Sequence, residues 1–193
     1  MSRIASRDPS ALHITGRLSR SDLLWVANTA HGPGGHWHAR ASEGEPDHDH
    51  LAAPGDALRY LSDHRVPTPQ EPPDPDALAR LAAVRSSVQR LADPGGGPWS
   101  EPIADLMRDA GFGLGADGRL ASLEHGWLAF CEDLLVPLVS LAGDGTPLRR
   151  CANRQCRLVF EDGSRSHTRR WCDTAACGNR ERVGRARRAG SRG

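Results

Sequence analysis

The longest helical stripe of apolar positions runs from about Asp76 to Leu91. Leu78, Leu81, Ala82, Val88 and Leu91 line one side, Val84 sits less well, and Arg80, Arg85 and Arg90 lie off it. Pro94-Gly95-Gly96-Gly97-Pro98 stops it. A second helix is expected from near Ser100-Glu101-Pro102 to Gly111, burying Ile103, Leu106 and Met107. Leu123 to about Ala142 is the most apolar stretch, with Trp127, Leu128, Phe130, Leu134, Leu135, Leu138 and Val139, and Pro137 should kink it. Between these two, Ala116-Asp117-Gly118 is a turn signal separating two short apolar pieces, the pattern of a small hairpin. Ser21 to Thr29 opens with cap-type residues and then runs apolar, a short helix or a buried strand at a length where periodicity does not arbitrate. Pro54 opens another short helix, with Leu58 and Leu61 one turn apart.

The remaining segments lack a period. Residues 1–20 read as a flexible arm, residues 31–50 (HGPGGHWHARASEGEPDHDH) as a disordered His/Gly/Pro-rich loop, and residues 66–75 (VPTPQEPPDP) as an extended connector. No internal repeat appears at a period of about 20–50 residues. The expected architecture is α+β: a mainly helical domain over 21–145, followed by a distinct unit over 146–193.

Composition narrows this picture. Only 35 of the 193 residues are Leu, Val, Ile or Phe, but the net charge is just +1, so a modest folded core is expected rather than disorder. All 25 basic residues are Arg. The N-terminus has no apolar core of a secretory signal, and the longest apolar run is cut by Glu132, Asp133 and Pro137. A cytoplasmic protein without a membrane span is therefore expected, and in that compartment five Cys point to metal or free thiol rather than disulfides. The small net charge hides a division. Residues 149–193 carry 13 Arg against four acids, while residues 1–148 carry 12 Arg against 20 acids. Such asymmetry fits an anion-binding tail on an acidic body, or a solvated basic tail.

The cysteines decide what the tail contains. Cys151-x4-Cys156 and Cys172-x4-Cys177 are two pairs of equal spacing around 15 residues. That arrangement places four thiolates on one tetrahedral Zn²⁺ with no open position, which is a structural and not a hydrolytic site. Cys131, among apolar residues, reads as a small core residue. Between the pairs, Leu158 and Phe160 alternate with Arg157, Val159 and Glu161 as a strand, Asp162-Gly163-Ser164 turns, and Arg169 to Cys172 returns as a second strand. Asp173 or Thr174 then caps a helix starting near Ala175. The unit is a treble-clef-like zinc finger: knuckle, β-hairpin and basic C-terminal helix.

Residues 151–180, CANRQCRLVFEDGSRSHTRRWCDTAACGNR, closely resemble the CGNR zinc finger, through the CxNxxC knuckle, the FxDxSR step, the RRWC strand end and the closing Cys177-Gly178-Asn179-Arg180. The part before it is similar to the ABATE domain, through the apolar segment ending in Asn28-Thr29 and the short helix at 58–61, although Val26-Ala27 stands where that family usually has an Asp before the NT pair. The resemblance implies one structural zinc, binding to double-stranded DNA and control of transcription, with the N-terminal domain as a sensor of a small-molecule or protein effector or as a homodimerisation module. The residues are compatible: Arg165, Arg169 and Arg170 lie between the Cys pairs, and Arg180, Arg182, Arg185, Arg187 and Arg188 stud the following helix. Guanidinium groups suit phosphate and guanine edges. Arg180, close to the metal, could instead bond the knuckle. The same basic helix would also suit RNA or an acidic protein, which leaves a zinc-finger interaction module on a helical scaffold as the alternative. The His-rich loop (His31, His36, His38, His48 and His50) could hold a second metal but reads first as solvated. No phosphate loop, nucleophile elbow or metallohydrolase motif is present, so no enzyme is expected.

Overall fold

The computed structural model describes residues 16–34, 47–93, 95–97 and 99–190, apart from the side chain of Arg188. Most of the expected arm over 1–20, and His36 and His38, lie outside the described residues. The arm's last residues are built into the body. Gly16 bridges Leu120, Arg17 N donates to the Leu120 carbonyl at 3.0 Å, and Leu18 is buried.

Ser19 starts helix α1 (Arg20–Ala27) with a reciprocal cap, its hydroxyl accepting from Asp22 N while Asp22 accepts from Ser19 N at 2.8 Å. The segment that periodicity left open is thus helix, and the cap decides it. The His-rich loop is not structureless at its ends: β1 (Ala30–His31) pairs antiparallel with β2 (His48–Asp49), placing His31 opposite His48. Helix α2 (Pro54–Asp63) begins at its proline. Helix α3 (Pro75–Leu91) is capped by Asp74, which accepts from Ala77 N at 2.7 Å. It is the central helix, touching α1, α4 (Glu101–Asp109), α5 (Gly126–Asp133) and α6 (Leu135–Gly143).

The expected hairpin is present as β3 (Phe112–Leu114) paired with β4 (Leu120–Ser122). The acids that interrupt the apolar run hold it to α5. Ser122 N donates to Asp133 at 2.7 Å, and the Ser122 hydroxyl donates to Glu132 at 2.6 Å, with both acids buried. The single kinked helix expected over 123–142 is two helices, α5 and α6, meeting at Leu134. Pro137 lacks the N–H that would bond the Asp133 carbonyl, and its ring crowds that carbonyl, so the break falls one turn before the proline. By length and composition Gly126–Gly143 could cross a membrane, at a mean hydropathy of 1.4, yet 61% of it is buried inside the fold.

Body and finger share a core. Leu148 and Val159, both from the finger segment, belong to the same apolar cluster as Leu23, Leu81, Val88, Phe130 and Leu138. Asn28, only 6% exposed, works as a detachable piece of strand: its Nδ2 donates to the Val159 carbonyl at 2.9 Å, and its Oδ1 accepts from Val159 N at 2.8 Å. Tyr60 holds that residue from behind, donating its hydroxyl to the Asn28 carbonyl at 3.0 Å. Arg150 reaches back to Asp93 at 2.7 Å and to the Gln89 carbonyl at 3.0 Å. Leu148 and Val159 thus carry the helical core past residue 145. Truncating Asn28 to Ala orphans two buried backbone groups, at about 1–3 kcal/mol each. Asn28→Ala should therefore lower the unfolding free energy by about 2–6 kcal/mol, read by denaturant titration of the zinc-loaded chain.

Candidate metal centre

The first Cys pair sits in a tight reversal between two strands. β5 (Leu148–Arg150) pairs antiparallel with β6 (Val159–Glu161), and Cys151 N continues the ladder to the Leu158 carbonyl at 2.8 Å. This corrects the expected hairpin. The partner of β6 is the strand before the knuckle, not residues 169–172, which meet the finger through Ala152 N donating to the Arg170 carbonyl at 2.8 Å. The knuckle itself explains the paired Cys with Asn between them. The Asn153 carbonyl accepts from both Cys156 N (2.9 Å) and Arg157 N (3.1 Å), while its side chain accepts from Gln155 N at 3.0 Å. Arg157 closes the reversal at φ 57°, in the left-handed region.

Asp162 assembles the stretch leading to the second pair. Its carboxylate is fully buried and accepts from Ser164 N (3.1 Å), the Ser164 hydroxyl (2.5 Å), Arg169 N (2.9 Å) and Arg149 Nε (2.9 Å). Burial alone would raise its pKa, but these donors hold it at about 2. The residue types in Asp-x-Ser were visible in the sequence; the carboxylate's role was not, because its donors come from three separate segments. After Cys172, Asp173 caps a wide helical turn (Thr174–Gly178), accepting from Ala176 N at 2.7 Å, and α7 (Asn179–Gly190) follows. The expected helix start near Ala175 is thus borne out, with Asp173 as its cap. A Cβ on Gly178 would lie 3.3 Å from the Trp171 ring, so glycine lets that indole seat beside Cys177.

The four sulfurs converge. All lie within 4.8 Å of one another, with Cys156–Cys172 at 3.6 Å and Cys172–Cys177 at 3.7 Å. Tetrahedral zinc with bonds of about 2.3 Å requires sulfurs about 3.8 Å apart, so the set fits the ion. Their mutual influence says the same. Hydrogen bonding from Cys156 and the other sulfurs pulls the Cys151 thiol far below its ordinary value, and Cys151 and its neighbours push Cys172 far above. Four thiols this close divide into donors and acceptors unless a cation lets all of them ionise. Cys131 stands apart, its thiol pushed up to about 12 by burial in the helical core.

The arginines fall into two groups. Arg169 and Arg180 are engaged by the fold. Arg169 donates to the Trp171 carbonyl at 2.9 Å and to the Cys172 carbonyl, and its guanidinium lies 5.1 Å over the Phe160 ring. Arg180 donates to the Gly34 carbonyl at 2.5 Å, tying α7 to the body. Arg165, Arg170, Arg182, Arg185 and Arg187 are exposed, with Arg170 stacked 5.3 Å from the Trp171 ring. Arg188 lies on α7, with its side chain outside the described residues.

Residues 22–151 match the ABATE family, "Putative stress-induced transcription regulator". The chain belongs to the ABATE family. Residues 148–189 match the CGNR zinc finger, so the ABATE body carries that finger and its one structural zinc. The two matched spans overlap at 148–151, which is β5 and the first ligand. Among curated proteins nothing matches the chain.

Two outcomes follow from this geometry. Elemental analysis of the purified ABATE chain should give one zinc per chain, lost in Cys172→Ser and retained in Cys131→Ala, because the latter thiol belongs to the core. Asp162→Ala should keep that stoichiometry but speed transfer of zinc to a competing chelator, since four donors that order the segment between the pairs lose their acceptor.

Proposed function

We propose that this ABATE-family chain is a zinc-dependent DNA-binding regulator of transcription. In this reading the finger makes the contact, the helical body acts as sensor or dimerisation module, and neither part is catalytic. The observation that carries it is α7. Among the described residues, no side chain of α7 joins either apolar cluster, and Arg182, Arg185 and Arg187 project into solvent. A helix this cationic, with Val183 as its one large apolar side chain and that only half-buried, has little to gain from its own fold. It is anchored at one end by the turn carrying Cys177 and by Arg180, and the rest is a cationic rod suited to an anionic partner. Arg165 and Arg170 add exposed charge from the segment between the Cys pairs. A double helix, with phosphates on both sides of a groove wide enough for an α-helix, is the polyanion that matches this shape.

Labelled duplex titrated with zinc-loaded protein at two salt concentrations tests the reading. With about five phosphate contacts, affinity should fall roughly 10²–10³-fold between 50 and 200 mM salt. Arg182→Ala and Arg185→Ala should weaken binding while leaving zinc content and melting unchanged. Arg180→Ala, by contrast, should lower stability as well. Retention of RNA or an acidic protein with no duplex binding at low salt would replace DNA with the interaction-module reading.

A further inference from the structure

The histidines at the ends of the 31–50 loop are not scattered in solvent. β1 and β2 place His31 directly opposite His48 on one face of a short ladder, and His50 follows as the first residue of the 3-10 turn His50–Ala52. Their rings form a cluster. His31 lies 5.1 Å from His48 and 5.3 Å from His50, and His48 and His50 stack at 5.9 Å with only 11° between their planes. Tyr60 backs the cluster, its ring 4.3 Å from that of His50.

One distance makes this more than an aromatic stack. Nε2 of His31 and Nε2 of His50 are 3.3 Å apart. Two imidazole nitrogens on a tetrahedral late transition ion, with bonds of about 2.0–2.1 Å, are separated by about 3.3–3.4 Å. The Cys tetrad shows the same correspondence between bare donors and the edge of a coordination tetrahedron. His31 is also oriented as a ligand is. Its Nδ1 lies 2.7 Å from the Gly32 carbonyl, which fixes the proton there and turns the Nε2 lone pair toward His50. A cavity of about 470 Å³ borders the cluster, lined by His48 and His50 with Asp49, Asp56, Arg59 and Asp63; Asp49 and Asp56 already pair with Arg85 and Arg59. Imidazoles suit late first-row divalent ions such as Zn²⁺ or Ni²⁺.

We propose that His31, His48 and His50 form a second, exchangeable binding site for a late first-row divalent metal ion. His31 and His50 already stand at ligand separation. His48 closes as the third ligand, and the cavity leaves the fourth position to water or another small ligand. Among the described residues only the cysteines bring three donors together in advance, so this site completes itself on loading, in contrast to the preformed tetrad. Its location gives it a route to the finger. Gly32, whose carbonyl holds His31, donates its N–H to the Cys156 carbonyl at 2.9 Å, and Gly34 N donates to Gln155 at 2.7 Å. A Cβ on Gly32 would come within 2.4 Å of the Gln155 carbonyl oxygen, so the two backbones are in direct contact. The site deepens the reading of the body as a sensor by naming its effector class, and it can be tested without DNA.

The test uses full-length protein whose tetrad is already zinc-filled. Added Zn²⁺, followed by gel filtration and elemental analysis, should raise the content from one to two ions per chain. His50→Ala and, separately, His48→Ala should each return it to one with the helical signal unchanged. A His36→Ala/His38→Ala double variant should keep two. Cobalt added to the zinc-filled protein should bind without thiolate charge-transfer bands. The proposal is overturned if the zinc-replete chain never holds more than one ion, or if the second ion survives in both His50→Ala and His48→Ala. It is equally overturned if only the His36/His38 variant loses the second ion, or if cobalt shows thiolate bands and so has entered the tetrad. Loss of duplex binding in the assay above, with two ions still bound, would count against the DNA reading alone.

Discussion

Four sulfurs confined within 4.8 Å cannot all be thiolates without a cation among them, and the knuckle and the turn into α7 are arranged by that constraint. The first pair closes the β5–β6 reversal, while the second pair turns the chain into α7. The finger's own apolar set is small: Leu158, Phe160 and Trp171 beside the cysteines. Such a set does not hold a fold together unaided, so the ion and the body share the task. The body contributes through Val159, whose side chain lies in the helical core and whose backbone is paired by Asn28. The metal thus fixes the knuckle, and the body fixes the strand that leaves it.

The legible parts of the chain were those with local causes. Helices α3 and α4 follow from apolar spacing and flanking proline and serine, the β3–β4 hairpin from its Asp117-Gly118 turn, and the tetrad from equal Cys spacing. What was not legible depends on residues far apart. The pairing of β6 with Leu148–Arg150 is such a case: neither that segment nor residues 169–172 alternates, and closure of the knuckle brings the nearer strand alongside. Asn28 is another. Its service to Val159, 131 positions later, leaves no periodic trace. The break at Leu134 was placed one turn late, because proline acts on the carbonyl four residues before it.

The arginines show a division of labour that composition conceals. Arg169 and Arg180 spend their donors on backbone carbonyls of the finger and the body, and Arg20 and Arg150 join the finger segment to the body through Glu161 and Asp93. The surplus of positive charge in residues 149–193 is therefore partly internal mortar. What remains outward is concentrated on α7 and on the loop holding Arg165 and Arg170.

β5 is claimed by both halves, and this leaves the joint without slack. A finger carried on a flexible tether would search for its partner independently. Here the strand that ends the body is the strand that begins the knuckle, so the finger points where the body points. With 12 residues, α7 is a lever of about 18 Å clamped at one end. A tilt of about 6° at the clamp would sweep its free end through about 2 Å, enough to move a guanidinium out of reach of a phosphate oxygen. In such a machine small adjustments near Gly32 are amplified by leverage rather than carried by a hinge.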